Sequence, residues 1–220
     1  MNDLTIHPDE SLLTAYAAGS LQLSQALCIS THIEHCSKCQ QAVQRLNKLG
    51  SELMQQLKPS PTSSDLKASL LAQLDNLEDR PEIVTPVRVD NSIPRCLRQF
   101  VHSDYKNLAW KRVSTDIHSV ELCRDSNGAK VELLRIKPGG AATTHTHMGD
   151  EYTVILEGSF SDELGVYSKG DFLLRDASHR HRPVATQDGE CICLAVTEGP
   201  IQFTGLFSRL LNPFIRRSYA

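Results

Sequence analysis

The sequence predicts an α plus all-β protein of two domains, with a small helical domain at the N-terminus and a β-barrel or jelly roll at the C-terminus. Apolar residues recur at helical spacing from residue 9 to residue 77, whereas beyond residue 94 they form short runs typical of strands. A stretch rich in Asp, Arg and Pro separates the two patterns and has the composition of a linker. The 220 residues suffice for two small domains, which we place at residues 1–77 and 95–220, with the linker at 78–94.

Four helices are predicted in the N-terminal domain. The first ends before Gly19, and Ser24 can cap the second. Residues 58–64, rich in Pro and Ser, separate the third helix from the fourth, which Ser64 or Asp65 can cap. The apolar positions that define these helices are Leu12, Leu13, Tyr16 and Ala17, then Leu27, Ile29 and Ile33, then Ala42, Val43, Leu46, Leu49, Leu53 and Leu57, and finally Leu66, Leu70, Leu71, Leu74 and Leu77.

Short strands are predicted throughout the C-terminal domain. The clearest candidates are residues 130–136, 152–157, 171–174 and 191–196, which are rich in Val, Ile, Leu and Tyr and are bounded by Gly, Asp or Pro. Several short strands at turn-punctuated intervals are typical of a β-sandwich or a small barrel.

The composition argues against several classes of function. A formal net charge of −3, all of it within residues 1–80, disfavours a protein that binds nucleic acid or a membrane surface directly. No apolar run approaches the roughly 20 residues that span a bilayer, and the N-terminus lacks the basic and apolar regions of a secretion signal. The odd number of cysteines, seven, indicates metal-binding or free thiols in a reducing compartment. We therefore expect a cytoplasmic protein.

A first candidate metal site lies in the helical domain. His32 and Cys36 are four residues apart, so they share one face of a helix, and Cys39 follows with CxxC spacing. Imidazole and thiolate are preferred ligands of Zn²⁺, and two sulfurs at this spacing can bind one ion. The fourth ligand is His7, which would tie the first helix to the site, or Cys28, which falls on the same face as His32.

Two segments of the helical domain resemble the zinc-binding anti-sigma domain, with which bacteria hold group IV (extracytoplasmic function) sigma factors inactive. They are residues 12–21, LLTAYAAGSL, and residues 31–39, with the pattern THxxxCxxC. The resemblance implies that the partner is such a sigma factor and that the helices block its binding to RNA polymerase. It also implies a zinc ion with the ligands His7, His32, Cys36 and Cys39.

A second candidate metal site matches the first sequence motif of the cupins. Gly139, His145, His147, Glu151 and Gly158 have the spacing of this motif without a gap. Two histidines at i and i+2 on a strand point to the same face, which is here the interior of the barrel. Two imidazoles and a carboxylate facing one cavity suit zinc or another divalent transition metal, such as iron, manganese or nickel.

Cupins usually add a histidine from a second motif, for which His179 and His181 are the candidates. The glycine of that motif resembles Gly170, and the usual spacing from this glycine leads to His181. Asp176 stands where many cupins have proline, so this motif departs from the family pattern.

The C-terminal domain is more specifically similar to the cupin domain of the ChrR family. The similar segments are residues 160–172, 181–184, 191–194 and 203–214. In this family a zinc-binding anti-sigma domain precedes a cupin, and a known member restrains a sigma factor of the singlet-oxygen response. The resemblance implies that the cupin senses a stress signal, such as singlet oxygen or another oxidant, and that the protein is a regulator rather than an enzyme.

Two alternatives to this interpretation need consideration. The chain could be a cupin-type metal-dependent dioxygenase with a zinc-stabilised N-terminal appendage, or its helices could form a DNA-binding zinc module, which their acidic charge disfavours. Cys191 and Cys193, at i and i+2 on a predicted strand, are either a redox sensor near the metal or two small buried apolar residues. No feature of the sequence requires a dimer.

Overall fold

A computed structural model describes residues 6–75, 92–205 and 208–213 of the chain. The N-terminal part of these residues has the four predicted helices, which are α1 Glu10–Ala17, α2 Leu23–Ile33, α3 Ser37–Gln55 and α4 Leu66–Asp75. Leu77 and most of the predicted linker lie outside the described residues. The boundaries of the predicted domains therefore stay a prediction.

A local residue caps the start of α1, whereas the start of α2 depends on a residue that is distant in sequence. Asp9 caps α1 by accepting a hydrogen bond from the backbone N–H of Leu12. The prediction that Ser24 caps α2 is wrong, because the helix begins earlier, after Gln22. Ser24 lies in the first turn, where its own N–H donates to the carboxylate of Asp125, 2.9 Å away in the C-terminal part. This acceptor is 101 residues away in sequence, so no local pattern could reveal it.

Antiparallel strands form two layers in the C-terminal part. The strands are β1 Lys111–Arg112, β2 Ile117–Arg124, β3 Lys130–Ile136, β4 His145–His147, β5 Glu151–Glu157, β6 Ser159–Asp162, β7 Gly165–Ser168, β8 Phe172–Arg175, β9 Val184–Ala185, β10 Cys191–Thr197 and β11 Ile201–Phe203. A six-stranded sheet has the order β1-β2-β3-β10-β5-β8, and the other layer combines the pair β11-β4 with the sheet β7-β6-β9. Isolated bridges from His145 to His181 and from Ala141 to Val184 join these two smaller sheets. The predicted β-sandwich is confirmed, and the four predicted strands correspond to β3, β5, β8 and β10 within one residue at each end.

The two faces of the six-stranded sheet have different neighbours. Along β10, Cys193 faces the interior between the layers, while Leu194 and Val196 face the opposite side. On that outer side the sheet packs against α2, which contacts β5, β8 and β10. Apolar residues of the helices and of the sheet therefore form one continuous buried cluster, which includes Leu27, Cys28, Ile29, Tyr152, Val154, Phe172, Leu194 and Val196.

Polar contacts fix the position of α2 on the sheet. Gln25 donates hydrogen bonds to the hydroxyl of Tyr152 at 3.1 Å and to the carboxylate of Glu198 at 2.7 Å. One helical turn further, Cys28 Sγ lies 3.7 Å from the carbonyl oxygen of Tyr152. Within the described residues, no helix is long and apolar enough to cross a membrane.

Replacing Phe172 with Ala should lower the free energy of unfolding by about 3–5 kcal/mol, because the ring fills the contact between α2 and the sheet. The ring is 2% exposed and meets the rings of His32 and Tyr152 edge-on or tilted. Urea unfolding should be followed by the helical circular dichroism and by the fluorescence of Trp110, the single tryptophan of the chain. Both signals should shift together.

Val166→Ala is the matched control, since Val166 lies on β7 in the other layer and is 68% exposed. Its midpoint should stay at the wild-type value. A shift of the tryptophan signal alone in Phe172→Ala would contradict a core shared by helices and sheet.

Candidate metal centres

The first cluster collects four residues from the beginnings and ends of three helices. His7 precedes α1, His32 lies in the last turn of α2, Cys36 is the N-cap of α3 and Cys39 lies in the first turn of α3. One ligand atom from each lies within 4.8 Å of all the others. Cys28, the alternative to His7, lies outside this cluster, against the sheet.

The separations in this cluster fit a tetrahedral metal ion. His32 Nε2 lies 3.3 Å from Cys39 Sγ, and His7 Nδ1 lies 3.4 Å from Cys36 Sγ and 3.6 Å from Cys39 Sγ. A nitrogen and a sulfur bound to one tetrahedral Zn²⁺ are about 3.6 Å apart, given typical bond lengths of about 2.0–2.1 and 2.3 Å. The cluster can therefore hold one ion without rearrangement of the helices.

Burial sets the protonation of these ligands. It lowers the pKa of His32 to about 4, so that the imidazole is neutral at neutral pH and has a free lone pair. Burial, together with the neighbouring Cys36 thiol, raises the pKa of the Cys39 thiol to about 12. A metal ion would have to displace that proton, so binding releases protons and strengthens as pH rises.

The second cluster lies between the two β-layers. His145 and His147 come from β4, Glu151 begins β5, and His181 pairs with His145 across an isolated bridge. His181 Nε2 lies 3.1 Å from His145 Nε2, 3.0 Å from His147 Nε2 and 3.9 Å from a carboxylate oxygen of Glu151. The structure thus brings together the four residues that the cupin motifs predicted.

Hydrogen bonds orient two of these imidazoles. His145 donates from Nδ1 to the carbonyl oxygen of Thr143 at 2.7 Å, and His181 Nδ1 faces a carboxylate oxygen of Asp162 at 3.4 Å. Both contacts leave the Nε2 lone pair directed at the centre of the cluster. His179 instead faces outwards and donates from Nδ1 to Asp176 at 2.8 Å. Of the two candidates in the second motif, the structure places only His181 in the cluster.

Burial and mutual repulsion keep the second cluster uncharged at its nitrogens. Burial, with the neighbouring His145 and His181, lowers the pKa of His147 to about 3, and burial with His145 lowers that of His181 to about 4. Burial and the nearby Glu132 raise the pKa of Glu151 to about 7. Three neutral imidazoles and one carboxyl group facing the same point form a donor set for a divalent transition metal.

A cavity of about 310 Å³ adjoins the second cluster. His145, Glu151 and His181 contribute to its wall, together with Cys193. Cys193 and Cys191 are both buried, and burial raises the pKa of both thiols, that of Cys191 to about 12. They are therefore protonated and poorly nucleophilic in this state. The remaining wall is mostly apolar and includes Leu134, Ile136, Phe160, Leu173, Ile201 and Phe203.

Comparison with known proteins identifies the family of this chain. Residues 98–202 match the family described as the ChrR cupin-like domain. The anti-sigma-E factor ChrR of Cereibacter sphaeroides is 34% identical over 211 residues, which cover 96% of this chain and 97% of that protein. The chain belongs to the ChrR family.

A solved structure extends the match to both parts of this ChrR-family chain. The crystal structure of Rhodobacter sphaeroides SigE in complex with the anti-sigma ChrR superposes with a TM-score of 0.77 at 32% identity. The match covers 88% of this chain and 99% of that chain. The predicted order, helical domain before cupin, is therefore that of the family.

No sequence pattern predicted the groups that orient the candidate ligands of this ChrR-family chain. His32 donates from Nδ1 to the backbone carbonyl of Gly170, 2.7 Å away, and His181 faces Asp162. A backbone carbonyl has no sequence signature, and Asp162 lies 19 residues from its histidine in a segment without a metal motif.

Loss of each ligand pair should remove the ion of one cluster only. Cys36→Ser with Cys39→Ser should abolish metal binding at the first cluster, and His145→Ala with His147→Ala should abolish it at the second, because two of four ligands are gone. Metal content is measured by mass spectrometry on the full chain.

Cobalt substitution assigns the clusters, since only the first can give a thiolate-to-cobalt charge-transfer band. His179→Ala is the control and should retain both ions, because His179 faces away from the second cluster. Unchanged metal content in either double variant would refute the corresponding site.

Proposed function

We propose that this chain is an anti-sigma factor that binds an extracytoplasmic function sigma factor through its N-terminal helices and thereby keeps it from RNA polymerase. One structural observation carries the proposal. The described residues leave an apolar helical surface uncovered on α3 and α4, in a chain whose family is known for anti-sigma activity.

The exposed apolar residues form the same pattern on both helices. On α3 and directly after it they occupy positions 49, 53, 54 and 57, and on α4 positions 66, 70, 71 and 74. Each set follows the spacing i, i+4, i+5, i+8, which is one face of a helix. All eight side chains are between 46% and 71% exposed, and they are Leu49, Leu53, Met54, Leu57, Leu66, Leu70, Leu71 and Leu74.

Two such stripes need a partner. An apolar helix surface that is not covered by its own chain commonly lies in the groove of another protein. α4 has ten residues, and a helix of that length is marginal in water without tertiary contacts. A bound protein would therefore both cover the stripe and stabilise the helix.

The relatives indicate which kind of protein would cover the apolar residues of α3 and α4. The crystallised ChrR is bound to SigE, a sigma factor, and the curated relative is named an anti-sigma-E factor. The net charge of −3 in residues 1–80 supports a protein partner over nucleic acid.

The first cluster is proposed to hold zinc in a structural role. Two imidazoles and two thiolates fill a tetrahedral shell and leave no position for substrate. The ion would join the segment before α1 to the ends of α2 and α3, so the fold of the helical part would depend on it. Sigma binding should then depend on the same ion.

The second cluster is proposed to hold zinc or another divalent transition metal and to sense a stress signal, such as singlet oxygen or another oxidant. Two nitrogens about 2.1 Å from one ion and at right angles to each other are about 3.0 Å apart. The Nε2 separations of 3.0 and 3.1 Å match this value. His145, Glu151 and His181 also line the cavity, so an ion that they held would lie beside it, within reach of small oxidants.

Charge on the α4 stripe should abolish sigma binding. Leu70→Glu with Leu74→Glu should weaken the complex by roughly 30-fold or more, because each carboxylate would be buried in the interface. The affinity is measured by calorimetry, with the purified full chain and a purified extracytoplasmic function sigma factor of the same organism.

Leu164→Glu with Val166→Glu is the matched control, since both residues are exposed on the cupin part. It should bind sigma like the wild type. If the wild-type chain binds no sigma factor, the anti-sigma proposal fails, and the cavity should be screened for oxygen-dependent turnover of small organic substrates.

A further inference from the structure

A turn of the cupin part lies against the first metal cluster. It connects β7 to β8, and its buried Gly170 faces α2. The imidazole of His32 donates from Nδ1 to the carbonyl oxygen of Gly170 at 2.7 Å, while Nε2 points at Cys39 Sγ, 3.3 Å away. The hydrogen bond thus fixes the tautomer in which Nε2 carries the lone pair.

The same turn holds the segment that carries His7. The backbone N–H of Ile6 donates to Oδ1 of Asp171 at 3.3 Å, and the N–H of Phe172 donates to the carbonyl of Ile6 at 3.2 Å. Ile6 is therefore bonded to the cupin on both its N–H and its carbonyl. The next residue, His7, starts from a fixed backbone position.

Hydrogen bonds within the turn make it a rigid support. Gly170 donates its N–H to the carbonyl of Ile155 at 2.8 Å, which anchors the turn to β5. Asp171 accepts from the N–H of Ser168 at 2.9 Å and returns a bond from its own N–H to the Ser168 carbonyl at 2.9 Å. Gly170 has φ +94°, a conformation that other residues rarely adopt.

We propose that this cupin turn is part of the N-terminal metal centre, with the Gly170 carbonyl positioning His32 and Asp171 positioning the segment before His7. The proposal rests on the metal centre proposed above and goes beyond it. It makes the centre a joint product of both parts of the chain, because its orienting groups come from residues 138 and 165 positions away in sequence.

Loss of the hydrogen bond from His32 to the Gly170 carbonyl should lower the metal affinity of the first cluster. A histidine ligand whose second nitrogen is bonded to a fixed acceptor keeps one tautomer and one ring orientation, and loss of the acceptor typically weakens metal binding about 10–100-fold. Gly170→Ala should have this effect, since φ +94° is strained for a residue with a side chain, and relief of the strain would shift the turn and its carbonyl.

The experiment titrates Co²⁺ into the full chain against a competing chelator and follows the thiolate-to-cobalt charge-transfer band. The cupin cluster has no thiolate ligand and does not contribute to this band. Gly170→Ala should weaken Co²⁺ binding about 10–100-fold. Gly139→Ala is the matched control, since Gly139 also has a positive φ, +67°, in the turn between β3 and β4. It should bind Co²⁺ like the wild type.

A second measurement needs no variant. In the zinc-loaded wild type, nitrogen-15 spectra of the histidines should show His32 as the Nδ1–H tautomer, with slow exchange of this proton. Equal affinity in Gly170→Ala and wild type, or rapid exchange of the His32 proton, would overturn the positioning role. Absence of the charge-transfer band in the wild type would instead overturn the metal centre, and the positioning role with it.

Discussion

The contact between α2 and the outer face of the six-stranded sheet fixes the position of the helical part on the cupin part. Gln25, Cys28 and His32 follow at helical spacing and all contact the cupin part. Gln25 and Cys28 contact Tyr152, and His32 contacts Gly170. The helix thereby buries apolar surface that neither part could bury alone. With α2 fixed, the first cluster comes to lie at the edge of the cupin, and α3 and α4 extend away with their apolar stripes uncovered.

The groups that orient the candidate ligands of the two clusters lie close together in the sequence. Three residues before Gly170, the hydroxyl of Tyr167 donates to Asp162 at 2.7 Å. The other carboxylate oxygen of Asp162 faces His181 at 3.4 Å. One hairpin, β6 and β7 with the turn that follows, therefore contacts a predicted ligand of each cluster. A displacement of this hairpin would change the contact to His32 in the first cluster and the contact to His181 in the second. A sensor that controls an inhibitor requires a connection of this kind.

The sequence predicted what depends on local spacing and missed what depends on contacts between distant segments. His145, His147 and Glu151 follow a strand and turn whose spacing alone brings them together. His32, Cys36 and Cys39 are also close in sequence, but the prediction that His32 and Cys36 share one helix face is wrong, because α2 ends at Ile33 and Cys36 is the extended N-cap of α3. Ser24 was assigned as a cap, whereas the α2 N-terminus is satisfied by Asp125. Nothing near His32 in the sequence indicates the Gly170 carbonyl, because a backbone acceptor has no residue type and its position depends on domain packing.

The long sequence separation between His32 and Gly170 also has a consequence during protein synthesis. The ligand leaves the ribosome 138 residues before its acceptor, which at typical rates of 5–20 residues per second is an interval of roughly 7–28 s. For nearly all of this interval the four predicted ligands of the first cluster are present without the Gly170 carbonyl. A metal ion bound by the nascent helical part would therefore lack the support of this carbonyl and would gain it only once the cupin had been completed and had docked.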